Sequence, residues 1–139
     1  MRYENVSPHV LVAASLYYSG MDEFTTDVRR IGLTFQKIQR EGERYFPRLS
    51  ELGLQHLSIT PDPPSYDIWS TTLEQCFSNM TLTDTLKRHI YGQNFSYVWG
   101  DKEGVKEYIG REMPRLTREQ RAAIERFGEI VRKEMAYQV

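Results

Sequence analysis

Between Pro61 and Ile109 the hydrophobic period of the chain changes twice, and that succession limits the fold more than any other feature. Pro61, Pro63 and Pro64 forbid regular structure across Thr60 to Pro64, because each proline fixes its φ and lacks an amide donor. Ser65 then offers a cap for a helix expected from Tyr66 to about Ser78. Ile68, Trp69, Leu73, Cys76, Phe77 and Met80 recur at helical spacing, which places Trp69 and Cys76 in a core. From Thr81 to Trp99 the period drops to two, with Leu82, Leu86 and Ile90 on one parity and Phe95, Tyr97 and Trp99 alternating with Ser96 and Val98. Gly92-Gln93-Asn94 supplies a turn between them, so a β-hairpin is expected. The same residues also permit a helix from Asp84 to Tyr91, with Leu86 and Ile90 four apart and Thr83 as its cap. Helical spacing resumes from Val105 to Met113, and Pro114 ends it.

The flanks of this segment are helical. Ser7 followed by Pro8 starts a helix that Gly20 stops, and its run of Val10 to Ala14 and Leu16 to Tyr18 leaves almost no polar face, as suits a buried helix or a dimer interface. Thr25 or Thr26 caps a second helix with Asp27 near its positive end; Val28, Ile31, Phe35 and Ile38 form its apolar stripe as far as about Arg40. Pro47 opens a short helix through Leu52, ended by Gly53, and Leu54, Leu57 and Ile59 suggest a brief extended piece. Thr117-Arg118-Glu119-Gln120 fits a capping box and starts a terminal helix over residues 117–136. The expected class is mainly α with a small β-hairpin, α+β, in one domain over 1–139.

A chain of 139 residues with 40% hydrophobic content is large enough for one unaided core. Its formal charge of -1 lacks the basic excess of a general nucleic-acid binder, so any such surface is local. The lone Cys76 excludes an intramolecular disulfide, no charged-then-apolar leader opens the chain, and no apolar run approaches the about 20 residues that cross a bilayer. A cytoplasmic protein without membrane partners is expected. The sequons at Asn79 and Asn94 are read as chance.

Catalytic signals are missing. His9, His56 and His89 are scattered, without the spacing that sets metal ligands on one face. Glu41 with Glu43 and Asp62 with Asp67 lack apolar surroundings to tune a carboxyl, and Gly100 and Gly104 lack the Lys-Ser or Lys-Thr of a phosphate loop. Neither cofactor nor enzymatic activity is expected. The candidate nucleic-acid contacts are Arg29, Arg30, Lys37 and Arg40 on the second helix, with Lys87, Arg88 and His89 on the hairpin. Glu41 and Glu43 dilute that surface, and a mixed face is also what the solvated side of a helix looks like.

Leu16-Tyr17-Tyr18-Ser19-Gly20, then Pro64-Ser65-Tyr66, then Asp101-Lys102-Glu103-Gly104 give the chain an order of parts that resembles the helical winged-helix group of phage-associated and archaeal proteins, including Panacea-type antitoxin domains. The first matches that group's tyrosine-containing helix ending in glycine, the second its Gly-Pro-Tyr-Ser-like turn without the glycine, the third its Thr-Glu-Lys-Gly-like wing turn. The resemblance implies a winged-helix-like fold and a regulator or toxin-neutralising partner. Two functions follow as expectations: a DNA-binding transcriptional regulator, acting on double-stranded DNA as a homodimer, or a protein–protein interaction module of antitoxin-like or phage-related type.

Overall fold

The computed structural model describes residues 6–61 and 64–137, without the side chains of 56–61, 64–67 and 69. Asp62, and the side chains of His56, Asp67 and Trp69, therefore lie outside the described residues. The rest is mainly helical with a small antiparallel sheet. In chain order the elements are α1 (Pro8–Tyr18), β1 (Glu23–Thr25), α2 (Val28–Gly42), a 3-10 turn (Pro47–Leu52), β2 (Gln55–Pro61), β3 (Pro64–Trp69), α3 (Thr71–Leu82), β4 (Leu86–Tyr91), β5 (Asn94–Trp99), α4 (Lys102–Glu112) and α5 (Arg118–Glu134).

Helix starts follow their capping chemistry. The Ser7 hydroxyl accepts from the Val10 amide with Pro8 in the first turn, and Thr117 with Gln120 completes the reciprocal box that opens α5. At α2 the cap is Asp27, one residue past the expected threonines, because Thr25 is committed to β1 and its hydroxyl accepts from the Asp27 amide. Gly53 takes the left-handed conformation that ends the 3-10 turn, at φ +57°.

The Pro-rich stretch differs from expectation. Residues 64–69 form a strand, not the first turns of a helix, and pair antiparallel with β2 in a hairpin whose last partners are Pro61 and Pro64. Prolines suit that place because a hairpin end leaves amide positions outside the ladder. The following helix is capped by Ser70 and not by Ser65, and it extends past Ser78 to Leu82. Ser70 wins because its hydroxyl both accepts from the Leu73 amide and donates to the Leu52 carbonyl. Residues 81 and 82 are accordingly helical, and the strand of the period-two segment begins at Leu86, not at Thr81.

The second hairpin is present. β4 and β5 pair antiparallel through a two-residue turn at Gly92-Gln93, with φ +61° at Gly92, and β1 joins the far side of β5 to give the order β1-β5-β4. Asp101 to Gly104 is no turn of that hairpin: Asp101 caps α4 through the Gly104 amide.

One apolar core runs through the described residues, with Leu11, Leu16, Phe24, Phe35, Ile38, Phe46 and Phe127 among its fully buried members. α1 and α2 both pack on α5, where glycines let the helices approach: a Cβ on Gly128 would overlap the Tyr18 backbone, and one on Gly42 would overlap the Phe127 ring. The sheet closes one end of this helical layer, Phe24 meeting Trp99 edge to face at 5.6 Å and Phe77 of α3 stacking on Tyr97 at 5.2 Å.

Candidate interaction face

α3 is held firmly at its start. Ser70 ties it to Leu52, and the Thr72 hydroxyl donates to the Glu51 carbonyl at 3.0 Å, so the helix projects from the 3-10 turn at a fixed angle. Leu73, Cys76, Phe77 and Met80 face inward, while Glu74, Gln75, Ser78 and Asn79 are exposed. No Lys or Arg occurs on it. Opposite, the β4–β5 hairpin is fixed to the start of α2 by the Thr26 hydroxyl, which donates to the Phe95 carbonyl at 3.2 Å.

Between these three parts lies a cavity of about 530 Å³, walled by Val28 and Ile31 of α2, Leu73 and Phe77 of α3, and Phe95 and Tyr97 of β5. Its lip is apolar in the open: Val28 is 59% exposed, Phe95 44%, and Ile90, paired with Phe95 across the hairpin, 64%. Among the described residues, Glu74 on the helical wall and Arg88 on the sheet wall are the charged side chains that line it. Exposed apolar surface rimmed by polar groups is characteristic of binding sites.

The seven expected nucleic-acid contacts do not gather on one surface. The Arg30 guanidinium donates to the Glu134 carbonyl at 2.9 Å, and the Lys37 ammonium lies 2.6 Å from the Glu134 carboxylate. Both cations serve the carboxyl end of α5, where the helix dipole and unsatisfied carbonyls favour positive charge. Arg29 sits in the first turn of α2 and Arg40 in its last, both exposed. Alternation along β4 divides the remaining three. Arg88, opposite Tyr97, turns to the cavity, whereas Lys87 and His89 turn to the outer face.

On that outer face His89 lies 4.4 Å from the Tyr91 ring, and the Glu23 carboxylate accepts from the Tyr91 hydroxyl at 2.8 Å and the Ser96 hydroxyl at 2.6 Å. These hydroxyls, Ser96 foremost, hold the Glu23 carboxyl below its usual range, and the Glu23 carboxylate raises the Tyr91 phenol. Cys76 is buried, and burial pushes its thiol up to about 11. Among the described residues no three His, Cys, Asp or Glu side chains converge as a metal site, and no helix is long and apolar enough to cross a membrane.

The cavity residues escape sequence reasoning because Val28, Leu73 and Phe95 come from three separate elements. The one local signal was Val28, an apolar residue in the first turn of a helix whose stripe partners Ile31, Phe35 and Ile38 are buried. No family model, no curated protein and no solved structure matches this chain.

Proposed function

We propose that this chain is a non-catalytic protein-binding module on a winged-helix-like scaffold, with the α2–α3–hairpin groove as its docking face. The scaffold reading rests on element order. α1, β1, α2, α3, β4 and β5 follow one another with sheet order β1-β5-β4, the succession of a winged helix in which the β2–β3 hairpin is an insertion before α3. α3 then occupies the place of a recognition helix and β4–β5 the place of the wing.

The observation that carries the reading is the character of α3 in that place. It presents Glu74 and no cation, beside an apolar groove. Duplex DNA is bound chiefly by neutralising phosphates, which a helix carrying a carboxylate and no Lys or Arg opposes. Arg30 and Lys37, which would have supplied much of a phosphate-binding surface, are engaged by Glu134.

The test pairs two measurements on the purified full chain. Fluorescence anisotropy with a random-sequence duplex at low and moderate salt is expected to show no binding in the micromolar range. Pull-down from cells expressing the chain is expected to retain a partner with the wild type and lose it with a Val28→Asp, Phe95→Asp variant. Tight DNA binding that falls steeply with salt and disappears on changing Lys87 and Arg88 overturns the proposal in favour of the DNA-binding regulator.

A further inference from the structure

The groove is not electrically neutral along its length, and this says what should enter it. Arg88 projects from the sheet wall and Glu74 from the helical wall, and no ion pair joins them. Leu73, Phe77, Phe95 and Tyr97 line the same cavity, so a guest in the groove meets a cation on the sheet wall, a carboxylate on the helical wall and apolar surface beside both. A space of about 530 Å³ holds large side chains, and the exposed Ile90, paired with Phe95, extends the apolar contact beyond it.

We infer that the groove takes a polypeptide segment of a partner protein. The segment carries aromatic or branched aliphatic anchors, a carboxylate directed to Arg88 and a Lys or Arg directed to Glu74. This rests on the protein-binding reading above and adds the chemistry of the partner. Apolar anchors supply most of the affinity by leaving water, as at other interface hot spots. The two charges fix direction: a segment laid in reverse sets carboxylate against Glu74 and cation against Arg88, and both contacts become repulsive. A nucleic-acid strand fails the same pattern at Glu74, and a purely acidic or purely basic segment satisfies only one wall.

The test is selection of a random peptide display library on the immobilised full chain, followed by affinity measurements of the enriched peptides as synthetic probes. Expected are peptides with large apolar residues flanked by an acidic residue on one side and a basic residue on the other. Arg88→Glu or Glu74→Lys alone should weaken them about tenfold, since both groups lie near solvent and each contributes a modest pair energy. The Arg88→Glu, Glu74→Lys double variant should enrich peptides of reversed charge order. Phe95→Asp, at a half-exposed position where folding is easily checked by circular dichroism, should abolish binding. Peptides lost with Phe95→Asp yet indifferent to both charge reversals overturn the inference about partner chemistry and leave the docking face standing. Enriched peptides that bind Phe95→Asp undiminished, or a library that yields none, overturn both. Light scattering on the same samples detects a second copy as occupant, which also overturns the inference.

Discussion

Gly128 of α5 lies against the main-chain carbonyl of Tyr18 in α1, so close that the two helices have no room for a methyl group between them. The obstacle is backbone on both sides and cannot rotate away.

Gly128→Ala is therefore expected to force α1 from α5 and to cost about 1–3 kcal/mol, the usual range for overpacking a well-filled contact. Gly110→Ala is the control. It lies in α4 with nothing within 4 Å of the added carbon, and it should gain roughly 0.5–1 kcal/mol from helix propensity. Urea denaturation of the two variants checks both signs, and equal effects would refute the packing argument.

Gln120 closes the α5 capping box and also donates from its amide nitrogen to the Tyr45 carbonyl at 3.0 Å, in a buried setting. Thr117→Ala loses one cap bond and should cost about 1 kcal/mol. Gln120→Ala should cost more, because it also strands a carbonyl of the loop after α2. Chemical denaturation of each variant would show the order reversed if the Tyr45 contact carried nothing.

The Glu23 carboxyl is held low in the folded state, chiefly by the Ser96 hydroxyl and then by that of Tyr91. A depressed folded pKa adds stability above the unfolded value, near 4.3, and that contribution disappears as pH falls through the folded value. Tyr91→Phe removes one donor, so the Glu23 carboxyl should titrate at higher pH than in the wild type. NMR titration of the Glu23 side chain reads this directly, and an unmoved midpoint would show that the bond does not persist in solution.

Much of this fold is written locally. The caps at Ser7 and Thr117, the proline at 47 and Gly92 each act within four residues, and each marks an element where the sequence puts it. What escapes local reading is settled between distant parts. Ser65 and Ser70 are equal as caps by type, and the choice falls to Ser70 because Leu52 lies within reach of its hydroxyl. β1 is three residues long, too short for any periodicity, and exists because β5 offers it an edge. The expected basic surface divides for the same kind of reason. Arg30 and Lys37 are drawn to Glu134 at 104 and 97 positions' distance, and the pleat of β4 turns Arg88 away from its neighbours.

Cys76 gives a pH signature of the opposite sign. Its thiol is raised to about 11 by burial, so the folded chain keeps the proton that an unfolded thiol gives up near 8.5. That contribution is fully present below about pH 8.5 and is lost as pH rises towards 11. Cys76→Ala should flatten the alkaline decline in stability, and at neutral pH the wild-type thiol should react with a thiol reagent only after denaturation. Rapid labelling of the native chain would show that the helix opens around it.

Beyond the end of α5 the chain runs along the free side of β1. The Thr25 amide donates to the Met135 carbonyl at 2.9 Å, Ala136 bridges to Phe24, and Tyr137 stacks on Tyr91 at 5.5 Å. During synthesis, β1 emerges from the ribosome long before the residues that cover it. Until Met135 and Ala136 arrive, that margin of β1 is an unpaired strand edge open to pairing with another chain, and their arrival closes it.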